Sequence, residues 1–167
     1  MHDSTVKGIE FATKSAGKDL RILIVHTRWN SPIVNRLVEG AKQTLLESGV
    51  LAENIVLHNV PGAYELPFAT QKLLKASAGS TKPFDAAISI GVLIKGSTMH
   101  FEYIADATSQ GLMRVGLDLG IPVIFGVLTC LNEDQAFVRA GDSSRGSNAH
   151  NHGIDWAHTA IEMATLG

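Results

Sequence analysis

Four short apolar runs, each followed by a longer segment with helical spacing, constrain the fold of this chain more than any other feature. The first, residues 20–26 (Leu-Arg-Ile-Leu-Ile-Val-His), is short, β-branched and nearly uniformly apolar, which reads as a buried strand. Asn30, Ser31 and Pro32 follow as a helix start, with Asn30 a cap candidate and proline in the first turn. Ile33, Val34, Leu37, Val38, Ala41 and Leu45 then share one helical face, and Gly49 supplies a stop. The pattern returns at residues 54–60 with a helix over about 66–76, and at 84–91 with a helix over about 98–119. Its last instance is 121–128, followed by helical segments near 133–140 and 156–164. Uniformly apolar strands alternating with helices require a parallel sheet covered on both faces. Right-handed crossovers then give an α/β fold, a three-layer α/β/α sandwich around a central parallel four-stranded sheet. The 167 residues suit one domain, with residues 1–19 as an N-terminal arm.

Composition removes several function classes. Hydrophobic residues make up 45% and charged residues 18%, a globular balance that argues against disorder. The net charge is −2 and Lys and Arg are not clustered, so no nucleic-acid partner is expected. No stretch approaches the roughly 20 apolar residues that span a bilayer. The polar opening Met1-His2-Asp3 lacks a secretory signal, so a cytoplasmic location is expected. Cys130 is the only cysteine, which rules out an internal disulfide.

In a parallel α/β sheet, ligands bind beyond the carboxyl ends of the strands, and those positions here are rich in functional side chains. Trp29 follows the first run; it either packs or offers a flat surface on which an aromatic ring stacks, with Asn30 in hydrogen-bonding reach. Glu65, in Val60-Pro61-Gly62-Ala63-Tyr64-Glu65-Leu66-Pro67, is either a helix-dipole partner or an acceptor for sugar-alcohol hydroxyls. Beyond the third run, Gly96-Ser97-Thr98 opens a helix; its free N–H groups suit a phosphate, and simple capping is the bland reading. The order Lys95-Gly96 does not fit a Walker loop, so nucleoside triphosphate binding is rejected. His100, half a turn on, is a candidate proton carrier near neutral pH, although a lone helical histidine is more often structural. Arg139 is either a C-terminal dipole partner or a phosphate ligand. His150 and His152, with no nearby cysteine or carboxylate pattern, make a weak case for metal. They close a polar loop, residues 141–153, that is long for a compact domain.

Taken together, these stretches resemble the 6,7-dimethyl-8-ribityllumazine synthase family, particularly its fungal members, within a flavodoxin-like architecture. Gly91-Val92-Leu93-Ile94-Lys95-Gly96-Ser97-Thr98-Met99-His100-Phe101-Glu102-Tyr103 is the most specific segment. Arg28-Trp29-Asn30, Arg139-Ala140-Gly141 and the segment His150 to Trp156 add to it. The resemblance implies condensation of 5-amino-6-(D-ribitylamino)uracil with 3,4-dihydroxy-2-butanone 4-phosphate, releasing inorganic phosphate and water, without metal or organic cofactor. It implies that Trp29 stacks on the pyrimidine and that Ala63, Tyr64 and Glu65 bind the ribityl chain. Val92, Leu93 and Ile94 would present backbone groups to the uracil edge. Ser97, Thr98 and Arg139 would hold the phosphate while His100 moves protons. Phe125 and Arg139 would come from a neighbouring subunit of a homopentamer, and the N-terminal arm, residues 6–11, is a candidate to pair with a neighbour's sheet. Tyr64 stands where many relatives carry phenylalanine or tryptophan, and the loop 142–152 exceeds the glycine-lysine turn of shell-forming relatives. The competing readings are a riboflavin synthase of the same general fold and a flavin carrier; the phosphate-site pattern around His100 favours the first assignment over both.

Overall fold

A computed structural model describes residues 10–11 and 17–166. The chain runs β1 (Ile22–Thr27), α1 (Ser31–Glu47), β2 (Ile55–Val60), α2 (Leu66–Ser77), β3 (Ala86–Ile94), α3 (His100–Leu119), β4 (Val123–Cys130), α4 (Glu133–Arg139) and α5 (His152–Ala164). The strands form one parallel sheet in the order β2-β1-β3-β4. This is the α/β sandwich that the alternating apolar runs require.

Side-chain alternation along the strands divides the interior in two. Ile22 and Ile24 of β1, with Ala86, Ile88, Ile90 and Val92 of β3, point to a core shared with Val34, Leu37 and Ala41 of α1 and Ala157 and Ile161 of α5. Leu23, Val25 and Ala87 point the other way, against Leu66 and Leu74 of α2 and Leu112 and Val115 of α3. A strand buried on both faces has no polar side to show, which is why β1 and β3 read as unbroken apolar runs. A polar pair in the second layer is matched: the Thr70 and Ser89 hydroxyls lie 2.8 Å apart in buried surroundings.

The helix ends depart from the sequence expectation in informative ways. Asn30 is not a side-chain cap for α1; its amide is drawn instead to β3, as described below. β3 continues past Gly91 to Ile94 because β4 supplies partners through the register Gly91↔Val127 to Ile94↔Cys130. β2 is an edge strand whose middle residues are exposed, so its two faces are not both covered. Helix α5 begins four residues earlier than the apolar spacing alone indicates. Asn151 caps it by accepting from the Gly153 N–H at 2.9 Å, and the same side chain donates to the Arg36 carbonyl at 2.8 Å. An isolated bridge between Ala140 and Asn151 further shortens the polar loop.

Of the arm residues 6–11, only Glu10 and Phe11 fall among the described residues; the Phe11 ring lies 4.9 Å from that of His158. Pairing of the arm with a neighbour's sheet therefore lies outside the described residues. Among the described residues no helix is long and apolar enough to cross a membrane.

Candidate active site

The strand order places β1 between β2 and β3, so the chain leaves β1 and β3 towards opposite faces of the sheet. A crevice opens at that switch point, beyond the carboxyl ends of the strands. It is a cleft of about 490 Å³ whose walls come from three strand ends and the first turns of α3.

The end of β1 contributes Trp29 and Asn30. Backbone bonds from Arg28 N–H to the Val60 carbonyl (2.9 Å) and from Trp29 N–H to the Pro61 carbonyl (3.2 Å) fix this segment against the end of β2. The Thr27 hydroxyl donates to the Trp29 carbonyl at 3.2 Å. With its backbone held, the Trp29 side chain remains 74% exposed, so it is not a core residue of this chain. Asn30 has φ 60°, the one left-handed non-glycine conformation among the described residues. Its amide donates to the Val92 carbonyl at 2.8 Å, bridging the two strands on either side of the switch point.

The end of β2 passes through Gly62 into the short turn Ala63–Glu65. Ala63 is buried, and its carbonyl accepts from the Thr108 hydroxyl of α3 at 3.2 Å, which ties this wall to the helix. Tyr64 is exposed at the rim. One Glu65 oxygen accepts from the Gly62 N–H at 2.9 Å, so the carboxylate braces the turn and keeps its other oxygen for further contacts.

The end of β3 gives Val92, Leu93 and Ile94 to the floor. The following turn is pinned by Lys95 N–H to the Cys130 carbonyl at 2.9 Å. Sequence spacing puts the helix start at Thr98; in the structure residues 97–99 are still turn and α3 begins at His100, because Met99 (φ −77°, ψ 3°) has not reached helical geometry. Thr98 takes the capping role, its hydroxyl accepting from the His100 N–H at 3.3 Å. Gly96, Thr98 and the exposed His100 line the cleft beside the first-turn N–H groups of α3.

The structure thus brings Trp29, Ala63, Tyr64, Glu65, Val92, Leu93, Ile94, Thr98 and His100 around one cavity. It does not bring Ser97, Phe125 or Arg139 into it. Ser97 lies in the same turn but outside the lining. Phe125 sits midway along the edge strand β4, opposite Ser89 and 42% exposed. Arg139 ends α4, where its guanidinium donates to the Gln135 carbonyl at 3.2 Å. Burial pushes the Cys130 thiol pKa up, against the opposing charge of Arg139. The lining includes Gly96 of the phosphate turn, and also Gly62, Phe101 and Ile104, which the strand ends do not single out; Ile104 lies one helical turn beyond His100 and was detectable by that spacing.

The two loop histidines do have a carboxylate beside them, contrary to the sequence expectation. His150 Nε2 lies 2.8 Å from an Asp155 oxygen and His152 Nδ1 lies 3.7 Å from the same atom. Among the described residues no group of three such side chains is arranged to hold a metal ion.

Residues 19–167 match the family described as 6,7-dimethyl-8-ribityllumazine synthase. The chain belongs to that family. It is 50% identical over 178 residues to the 6,7-dimethyl-8-ribityllumazine synthase of Pyricularia oryzae, covering 88% of each chain. It is 55% identical over 148 residues to that of Schizosaccharomyces pombe, covering 88% of this chain and 87% of the relative. Membership makes the chain a transferase of riboflavin biosynthesis, one that forms 6,7-dimethyl-8-ribityllumazine, and the fungal resemblance read from the strand-end motifs holds.

Proposed function

We propose that the cleft at the β1/β3 switch point is the condensation site, in which 5-amino-6-(D-ribitylamino)uracil and 3,4-dihydroxy-2-butanone 4-phosphate are held together. The observation that carries this reading is the convergence of an exposed tryptophan, a braced carboxylate and a helix N-terminus beside a histidine on one cavity. The exposed Trp29 indole offers the pyrimidine a stacking face. The backbone of Val92, Leu93 and Ile94 meets the uracil edge, and Ala63, Tyr64 and Glu65 receive the ribityl hydroxyls. Thr98 and the first-turn N–H groups of α3 face the phosphate, with Ser97 in the same turn but outside the lining.

The primary amine attacks the ketone carbon and water is lost to give an imine. Elimination then expels inorganic phosphate, and attack by the second nitrogen on the remaining carbonyl closes the ring with loss of a second water. Each step moves a proton, and His100 at the cleft wall can accept and return it. The amine is already nucleophilic, so holding the reactants side by side supplies much of the acceleration. No step calls for a metal or an organic cofactor.

Phe125 and Arg139 lie away from their own chain's cleft, which fits a site completed by a neighbouring copy. The assembly is proposed as a homopentamer, working in the cytoplasm, with the described residues forming a single domain behind an N-terminal arm. Mixing two variants tests the shared site. Trp29→Ala and Arg139→Ala chains, each impaired alone, are expected to regain activity when unfolded and refolded together, because some interfaces then carry an intact pair. Mixtures no more active than the separate variants would show that each chain holds a complete site. Formation of the lumazine from its two substrates is followed by absorbance.

A further inference from the structure

Lys95 and Glu102 have no role in the reading above, yet they bracket the turn on which that reading depends. Lys95 follows the last residue of β3, and Glu102 is the third residue of α3. Lys95 Nζ forms an ion pair with Glu102 Oε1, closing the intervening residues 96–101 into a loop. Four of those residues, Gly96, Thr98, His100 and Phe101, line the cleft, and the Lys95 ammonium lies 5.8 Å from the Phe101 ring centroid.

The loop is otherwise tied by the bond from the Lys95 N–H to the Cys130 carbonyl at its start and by that from the His100 N–H to the Thr98 hydroxyl at its end. Residues 95–100 are all exposed, and a Cβ placed on Gly96 would meet nothing within 4 Å. The second carboxylate oxygen, Glu102 Oε2, is buried without a hydrogen-bond partner. With that oxygen unpartnered, the Glu102 carboxylate relies on the Lys95 cation that faces its other oxygen. The cation is correspondingly engaged. A lysine shielded by a carboxylate is a poor ligand for a phosphate dianion, which the same carboxylate repels.

We propose that the Lys95–Glu102 ion pair is a positioning device for the phosphate turn. It holds residues 96–100 so that the Thr98 hydroxyl, the first-turn N–H groups of α3 and the His100 imidazole face the phosphorylated four-carbon substrate together. The inference rests on the reading that this turn receives the phosphate. Lys95 and Glu102 are positioning residues and touch neither substrate.

The test compares Lys95→Met, Glu102→Gln, the double variant, the exchange Lys95→Glu with Glu102→Lys, and Glu102→Asp, with Thr98→Ala as the reference for the site. KM is measured for each substrate separately, inhibition by inorganic phosphate is measured alongside, and thermal unfolding reports on the fold. Each single neutralisation is expected to raise KM for the phosphorylated substrate and Ki for phosphate about 10-fold, with less than about a 2-fold change in KM for the pyrimidine. The double variant should be no worse than the singles, and Glu102→Asp or the exchange should recover much of the loss. If Lys95→Met weakens phosphate binding and Glu102→Gln does not, Lys95 is a direct ligand and the proposal falls. Equal rises in both KM values with a lowered Tm would reduce the pair to general stability and overturn it. An effective Thr98→Ala beside an inert Glu102→Gln removes the clamp and leaves the site; an inert Thr98→Ala removes the phosphate turn and the clamp with it.

Discussion

His100 occupies the first position of α3, solvent-exposed and at the wall of the cleft, with its backbone N–H held by the Thr98 hydroxyl. A side chain so placed can relay protons to and from water, and water itself can replace it in part. His100→Ala is therefore expected to lower kcat by severalfold to tens-fold, about 1–2 kcal/mol in barrier; a loss of six orders of magnitude would show that the imidazole does far more than relay. Arg139 makes a different prediction because it would bind rather than react. Arg139→Ala should raise KM for the phosphorylated substrate well above any change for the pyrimidine, and equal effects on both would remove its role as a phosphate ligand. At this scale the sequence was legible for placement: Trp29 and His100, picked out by residue type beyond the strand ends, both line the cleft. It was not legible for Asn30, because asparagine beside Ser31-Pro32 suits a helix cap in isolation. Only the approach of β3 shows that its amide is needed at the Val92 carbonyl, at the cost of a left-handed backbone.

At the level of elements, β1 and β3 were readable because burial on both faces leaves an unbroken apolar run. The start of α5 was hidden because its first turn is polar: the cap at Asn151 and the contact with α1 begin the helix well before its apolar face does. That contact is unusually close. A Cβ on Gly153 would lie 2.1 Å from the Leu37 carbonyl oxygen and 3.0 Å from the Ala41 nitrogen, both backbone atoms of α1 that cannot swing aside. Gly153→Ala is expected to destabilise the fold by about 2–3 kcal/mol, read as a lower denaturation midpoint; an unchanged midpoint would mean that the two helices separate freely. The loop before α5 carries a pH dependence of its own. Hydrogen bonds from the Ser144 hydroxyl and backbone N–H, with Arg36 and Arg145 adding to them, hold the Asp142 carboxyl below the ordinary carboxylate range. A depressed folded-state pKa means that the tether is intact above the ordinary value, about 3.9, and is lost as the pH falls through the folded value. Protection of the Ser144 amide, taken relative to the intrinsic exchange rate at each pH, should therefore fall on acidification in the parent protein. It should be low already at neutral pH in Asp142→Asn, with little further acid response.

Across the whole molecule, one face of α3, the edge strand β4 and the end of α4 carry features that a single chain leaves unexplained. Thr108, Leu112 and Val115 turn one face of α3 into the core. Tyr103, Met113 and Leu117 occupy the opposite face and are 63–75% exposed, an apolar stripe of a kind that marks contact surfaces. Phe125 stands exposed on β4, and Arg139 ends the helix that follows it. These are the parts of the site for which one chain's sequence shows residue type but no neighbourhood, since the groups they meet would belong to another copy. In the proposed assembly, a closed ring of identical chains would cover the stripe and complete every cleft at once. Light scattering should accordingly give five times the chain mass rather than the sixty-fold mass of a shell. Leu117→Asp, placed in the stripe and away from the cleft, should shift the mass towards the monomer and remove activity in parallel while retaining the circular dichroism of the parent. Activity that persists in a monomeric Leu117→Asp variant would mean that the cleft of one chain suffices, and Phe125 and Arg139 would then lose their place in the site.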